Sequence, residues 1–200
     1  MRAAEQSRPE IAAERAEFQQ KQRGFRVEDL VFIDETGFTT NRVRLYGRAA
    51  QGQRALGTEP CGHWKRLTLI GAISLQAEPV AMTIDSGTDN AVFLSFVEQI
   101  RVPSLRPGQI VLMDNLAPHK TDAVRSAIEA AGCSACFLPR YSPEWNPIEA
   151  CWSKMKALIR KIGARSVEAL QAAIRDVLAQ ITESDLRGWY QHCGYAARGN

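Results

Sequence analysis

The chain has 200 residues, of which 45% are hydrophobic and 24% charged, and this is the size and composition of one folded domain with its own core. It has no apolar run of the ~20 residues that span a bilayer and no apolar signal segment at its start, so the cytoplasm is the expected location. The net charge of +3 is too small to predict a polyanionic partner unless the positive charges are clustered.

The cysteines predict reduced thiols rather than disulfides, because their number is odd and no secretory signal precedes them. They are Cys61, Cys133, Cys136, Cys151 and Cys193. Cys133 and Cys136 form a CxxC pair, but Cys136 enters an apolar strand. Packed thiols are therefore favoured over a zinc or redox site.

The first part of the chain predicts a helical extension, over residues 1–26, to a domain over residues 27–200. Its mixture of Ala, Glu, Gln and Arg indicates one solvated helix that ends at Gly24. An apolar strand over 30–34 follows, and then a turn over 36–40. The next segment is basic and punctuated by glycines, which suits a hairpin and loops.

The rest of the chain alternates strands and helices. The predicted elements are strands over 67–75 and 79–84, a helix capped by Thr88 or Asp89 that ends before Pro103, a strand over 110–113, a helix from Thr121 to Ala131, a strand over 135–138 and a helix from Pro147. This order predicts an α/β fold with a mixed central sheet flanked by helices.

Three carboxylates are predicted to lie at the ends of separate elements. Asp34 and Asp114 each follow four apolar residues, so each falls at the C-terminal end of a strand, where open α/β sheets place their chemistry. Glu149 begins a helix. Clustered acids need a divalent cation or a proton between them, and oxygen ligands suit Mg²⁺ or Mn²⁺. Two such ions ~4 Å apart favour in-line displacement at phosphorus, although each acid taken singly could merely cap its element.

The helix that follows Pro147 combines an apolar face with a basic one. Its predicted core residues are Ile148, Trp152, Met155, Ile159 and Ile162, at helical spacing. Glu149, Lys156 and Arg160 share another stripe. An ordinary solvated face has the same pattern, but near a metal site it predicts a DNA contact. The candidate DNA-binding residues are Arg42, Arg44, Lys65, Lys156 and Arg160.

Three segments of the chain together resemble the Asp-Asp-Glu (DDE) transposases, specifically the bacterial insertion-sequence relatives of the mariner transposons. They are residues 31–37, 111–120 and 138–152. Asp114 and Glu149 are separated by 34 residues, the spacing typical of that family. The resemblance spans roughly residues 27–196.

The resemblance implies a ribonuclease H-like fold in which Asp34 bridges two Mg²⁺ ions, Asp114 holds one, and Glu149 completes the shell of the other. Water would cut DNA at the transposon ends, and the freed 3′-hydroxyl would attack target DNA. Family members work as homodimers on paired ends. Full-length relatives also carry helix-turn-helix modules before this domain, and 26 residues are too few for one. End recognition would then come from an upstream half, or be missing.

Several neighbours of the acids have two interpretations each. His119 either orients a phosphate or water near the metals or lines the following helix, and Asn115 either holds a ligand in place or forms a turn. Glu35 points to the opposite face from Asp34 and is the poorer ligand. Trp145 is expected to pack rather than stack on a base. For the whole chain, the alternatives are a decayed transposase that regulates by binding DNA or partners, and a stand-alone nuclease.

Overall fold

A five-stranded mixed sheet forms the centre of the computed structural model, which describes residues 4–43, 46–58, 62–85 and 87–195. The strands are β1 (Leu30–Thr39), β2 (Arg66–Ser74), β3 (Ala77–Ile84), β4 (Ile110–Met113) and β5 (Ser134–Phe137). The α-helices are α1 (Pro9–Gln22), α2 (Asn90–Phe96), α3 (Asp122–Ala130), α4 (Ile148–Ile162), α5 (Val167–Leu178) and α6 (Glu183–His192). The expected α/β class, a mixed sheet flanked by helices, is confirmed.

The strand order places two of the predicted acids side by side. The order is β3-β2-β1-β4-β5, with β1 antiparallel to β2 and parallel to β4. Phe32 of β1 pairs with Leu112 of β4. Asp34 and Asp114, each two residues further on, therefore lie at the same level on neighbouring chains.

Alternation along β1 divides the core into two layers. Phe32 and Phe38 belong to a cluster with residues of α4, α5 and α6, whereas Val31 and Ile33 belong to a cluster with residues of α2 and α3. Asp34 has the parity of Phe32, so it lies on the α4 face of the sheet. Glu35 takes the opposite face, as the sequence predicted.

Strand β1 is longer than predicted. It continues to Thr39, which pairs with Arg66, so the turn predicted over residues 36–40 is wrong. Asp34 consequently lies inside a strand rather than at its end. The continuation depends on pairing with β2, which lies far away in the sequence and satisfies the backbone of otherwise turn-like residues.

The helices also differ from prediction in several places. Helix α1 is not fully solvated, because Ile11 and Phe18 are buried. Asp89 caps α2, but α-helical geometry gives way to a π-helical turn over Val97–Arg101. Ile162 is exposed, because α4 ends there at Gly163 in the left-handed conformation. Helices α5 and α6 had not been predicted.

Two further expectations concern cysteines and membranes. Cys133, Cys136, Cys151 and Cys193 are free thiols, whereas Cys61 lies outside the described residues. Across the ranges that the structure describes, no helix combines the length and apolarity needed to cross a membrane.

A close contact at Gly71 sets the distance between α4 and the sheet. Gly71 of β2 pairs with Asp34, and a methyl group added at Gly71 would lie 2.6 Å from Cη2 of Trp152 and 3.1 Å from the Val80 carbonyl oxygen. Trp152 is almost fully buried and lies one turn after Glu149. Only glycine at position 71 allows this packing.

We expect Gly71→Ala to destabilise the protein by about 1–3 kcal/mol, because the added methyl group overpacks a well-filled core. Gly188→Ala is the matched control, since a methyl group there meets nothing within 4 Å and alanine favours the helix by up to ~1 kcal/mol. Denaturant unfolding of both variants measures the difference. Equal stability of Gly71→Ala and the parent chain would contradict the packing argument.

Candidate active site

One cleft of about 400 Å³ collects the three predicted carboxylates, Asp34, Asp114 and Glu149. Asn115, Asn146 and the loop between β5 and α4 complete its walls. Asp34 comes from within β1, Asp114 follows β4, and Glu149 lies in the first turn of α4. The sheet order and the docking of α4 thus bring together three residues that are distant in the sequence.

Asp34 is the most buried of the three acids. Its Oδ1 accepts a hydrogen bond from the Glu35 backbone N–H (2.8 Å), and its Oδ2 accepts one from Nδ2 of Asn146 (3.3 Å). Burial, followed by the negative charge of Glu149, raises the pKa of Asp34 to about 8, and the charge of Asp114 adds to the effect. The site is therefore short of positive charge around Asp34.

Asp114 is tied to a buried histidine. His119 is fully buried, with Nδ1 2.6 Å from Asp114 Oδ1 and Nε2 2.8 Å from Glu35 Oε2, and its ring packs on Phe93. Burial opposes protonation of His119, but the two carboxylates outweigh it and raise its pKa to about 9. Burial likewise acts to raise the pKa of Asp114, yet pairing with His119 leaves it lowered.

Glu149 is the exposed member of the group. A 3₁₀ turn over Pro143–Trp145 precedes it, and its backbone N–H donates to the Asn146 carbonyl oxygen (3.1 Å). Asn146 is buried and also contacts Asp34. The residues just before α4 therefore connect the helix that carries one acid to the strand that carries another.

The donors fit a hard divalent cation in kind, since carboxylate oxygens are the ligands that Mg²⁺ and Mn²⁺ prefer. Asp34, buried beside acids and with a raised pKa, has the environment that a cation would relieve. Among the described residues, however, no three His, Cys, Asp or Glu side chains form a group that could hold an ion as they stand. Asp114 Oδ1 and both oxygens of Asp34 are engaged by protein groups.

A basic surface borders the acids on the α4 side. Burial lowers the pKa of Arg42, and the charges of Arg160 and Arg66 lower it further. Burial and the charge of Arg42 also lower the pKa of Lys156, whereas Glu149 and Asp34 act in the opposite direction. Lys156 is therefore close enough to interact electrostatically with both the acids and the arginines.

The candidate DNA-binding residues are placed unequally by the structure. The structure brings together Arg42, Lys156 and Arg160. Lys65 is exposed, and its carbonyl oxygen accepts a hydrogen bond from the backbone N–H of Thr40, two residues before Arg42. Arg44 lies outside the described residues. Sequence reasoning left Arg66 out of this set, although it belongs to the same basic segment.

The neighbours of the acids differ in their contacts. His119 is enclosed in the protein, where it contacts Asp114 and Glu35. Asn115 donates from Nδ2 to the Leu138 carbonyl oxygen and so joins the ends of β4 and β5. Trp145 is buried against Phe18, so packing is confirmed. Asn146, which contacts Asp34, was missed, and its place before Pro147 at a helix start was the only signal.

Comparison with known proteins identifies the same segment of the chain. Residues 29–171 match the DDE superfamily endonuclease family. No curated protein matches the sequence.

Solved structures of the Mos1 mariner transposase have the same fold. The paired-end complex with the left transposon end superposes with a TM-score of 0.72 at 16% identity, over 99% of this chain and 65% of that one. The paired-end complex with Mn gives 0.70 at 16%, over 98% and 61%. The catalytic domain gives 0.63 at 15%, over 98% and 92%. The ribonuclease H-like fold is thus confirmed, and this chain spans less than two thirds of the longer transposase chains.

We expect Mn²⁺ to stabilise the protein against unfolding, by about 2.7 kcal/mol at a concentration one hundred times its dissociation constant. Asp34→Asn should abolish most of this gain. In chelator at neutral pH, the same variant should be at least as stable as the parent chain, because it removes a buried carboxyl group whose pKa, raised from 3.8 to about 8, destabilises the folded state.

Thermal unfolding in EDTA and in Mn²⁺ tests both statements. Asp176→Asn, an exposed change on α5, is the matched control and should respond to Mn²⁺ like the parent chain. An Asp34→Asn protein that gains full stability from Mn²⁺ would contradict the site.

Proposed function

Because this chain belongs to the DDE superfamily of endonucleases, we propose that it is the catalytic domain of a DNA transposase that cuts and joins DNA strands with two divalent ions. The domain extends over residues 27–200, and residues 1–26 form a helical extension. We further propose that the chain comes from the bacterial insertion-sequence branch of the mariner superfamily.

The observation that carries this proposal is the convergence of Asp34, Asp114 and Glu149 on one cleft beside a basic surface. The acids come from β1, the end of β4 and the start of α4, within the segment that matches the family. A nuclease needs both features, because phosphodiester chemistry requires charge stabilisation and the substrate is a polyanion.

The three acids would hold two Mg²⁺ or Mn²⁺ ions, which supply the positive charge that activates an attacking oxygen and stabilises the leaving one. The Mos1 paired-end complex solved with Mn supports this choice of metal. Asp34, between the other two acids, is the proposed shared ligand. Glu149 is the exposed acid of the cleft, and it is the one proposed to lie nearest the DNA backbone.

His119 and Asn115 are proposed to position the ligands rather than to touch DNA. His119 fixes Asp114 Oδ1 and is itself held by Glu35 on the other face of the sheet. Asn115 fixes the adjacent backbone through the Leu138 carbonyl oxygen. Such outer contacts orient a carboxylate and so preserve metal affinity.

The proposed partners are the transposon ends and target DNA, bound by a homodimer. Arg42, Lys65, Lys156 and Arg160 are proposed to contact the phosphate backbone, and Arg44 extends the set from outside the described residues. Recognition of the ends is assigned to an upstream helix-turn-helix half. Solved complexes of Mos1 with a transposon end support DNA as the partner.

We expect the purified chain to nick supercoiled plasmid DNA in Mn²⁺ or Mg²⁺ but not in EDTA. Asp34→Asn, Asp114→Asn and Glu149→Gln should each lose nearly all nicking while remaining folded, because each removes a charged ligand. A plasmid substrate needs no end recognition. Gel analysis of nicked circles measures the rate, and Asp176→Asn should keep the parent rate.

Near-parental nicking by any of the three variants would contradict its assignment as a metal ligand. A folded chain that binds Mn²⁺ but never nicks would instead favour the regulatory alternative, in which the domain binds DNA or partners without cleaving.

We expect the double variant Lys156→Glu and Arg160→Glu to weaken retention on DNA at least tenfold and to flatten its dependence on salt, because fewer counterions are released. Arg175→Glu with Arg187→Glu, exposed on α5 and α6, changes the charge equally and is the control. Fluorescence anisotropy at several salt concentrations measures both. Equal losses in the two proteins would mean that net charge, not this surface, governs binding.

A further inference from the structure

The cleft loop, residues 138–147, is held in an unusual conformation. It joins β5 to α4, and it supplies Asn146 just before Glu149. Tyr141 lies at its centre with φ of 56°, and it is the one residue other than glycine with positive φ in the parts of the chain that the structure describes. Side chains other than glycine tolerate this region poorly, so the surrounding contacts must hold it.

Arg15 of α1 makes four contacts with this loop, one of which is a long hydrogen bond from its Nη1 to the Tyr141 carbonyl oxygen (3.5 Å). Its Nη1 donates to Oγ of Ser142 (2.5 Å), and its Nη2 pairs with Oε1 of Glu144 (2.5 Å). The guanidinium group also lies 4.3 Å from the ring centre of Trp145. One side chain therefore fixes three of the residues between Tyr141 and Asn146.

Other residues near or within α1 reinforce the contact. Nε2 of Gln6 donates to the Tyr141 carbonyl oxygen (2.6 Å), so the strained residue is held directly. Glu14 pairs with Arg140 (2.6 Å), and Phe18 stacks on Trp145 with ring centres 5.4 Å apart. The residues on the α1 side of these contacts all precede position 29, where the match to the endonuclease family begins. They are Gln6, Glu14, Arg15 and Phe18.

We propose that α1 is a brace for the cleft loop and that Arg15 is a positioning residue for Asn146 and Glu149. This inference rests on the proposed function, because it assigns to Arg15 an effect on metal binding. Arg15 makes no hydrogen bond or ion pair with Asn146 or Glu149 in the described structure. It acts by restricting the loop that leads into the first turn of α4, and a small displacement of a ligand weakens a metal site.

A second contact, on the core side of the loop, holds the loop independently of Arg15. The Tyr195 hydroxyl donates to the Trp145 carbonyl oxygen (2.8 Å) within the core. That contact holds one backbone group, whereas Ser142 and Glu144 are held by Arg15 from outside. Loss of Arg15 should therefore loosen residues 141–146 while the core and α4 stay folded.

The first test compares Arg15→Ala with Lys21→Ala in the whole chain. Lys21 lies on the same helix, but its ion pair is with Glu17 of that helix. Hydrogen exchange should become at least tenfold faster at the non-proline amides of residues 141–146 in Arg15→Ala only. Calorimetric titration should show Mn²⁺ affinity about tenfold weaker in the same variant, with little change in melting temperature.

Restoring the ion pair with reversed charges provides the rescue. Arg15→Glu combined with Glu144→Arg should recover part of the Mn²⁺ affinity that Arg15→Glu alone loses. A merely destabilising substitution would not be rescued in this way.

The outcomes separate the brace from the proposed function. Unchanged exchange in the loop of Arg15→Ala would overturn the brace, and faster exchange with unchanged Mn²⁺ affinity would overturn the positioning role. If the parent chain neither binds Mn²⁺ nor nicks DNA, the proposed function fails, while the exchange measurement still decides whether α1 holds the loop.

Discussion

The contact between Trp152 and Gly71 is the constraint on which the cleft depends. Gly71 pairs with Asp34 across β1 and β2, and the missing side chain lets the indole of Trp152 lie directly on the sheet. Glu149 is three residues before Trp152, on the same helix. The depth to which α4 sinks at Gly71 therefore fixes how close Glu149 comes to Asp34. The packing of Trp152 on Gly71 thus helps to set the distance between two of the three proposed ligands.

Placing three acids in one cleft lowers the stability of the folded protein. The surroundings offset this effect for Asp114 but not for Asp34. Asp114 has a positive neighbour in His119, which lowers its pKa. Asp34 has no such partner at hydrogen-bonding distance among the described residues, and burial with acidic neighbours raises its pKa. The uncompensated acid is thus the central one, where a divalent cation would relieve the greatest repulsion. This arrangement lowers the stability of the metal-free protein, and it is the environment that the cation site proposed above would require.

Sequence patterns predicted those parts of the fold that depend on local periodicity. Apolar runs ending in acid located Asp34 and Asp114, and the spacing to Glu149 indicated the family. The extension of β1 through residues 36–39 escaped prediction because Thr and Gly there resemble a turn until β2 pairs with them. The ion pair between Glu35 and His119 was not predicted for a similar reason. The two residues are 84 positions apart in the sequence, and it is the strand order that brings them together.

The docking of α1 shows how little composition says about such contacts. Its few apolar residues predicted a solvated helix, yet Ile11 and Phe18 are buried and Arg15 is largely enclosed by the cleft loop. Arg15 on the outside and Tyr195 on the inside both reach that loop from outside residues 29–171. The family segment therefore supplies the acids, while the flanking segments hold the loop that orients one of them. Changes in those flanks can alter the geometry of the cleft without touching any of its three acids.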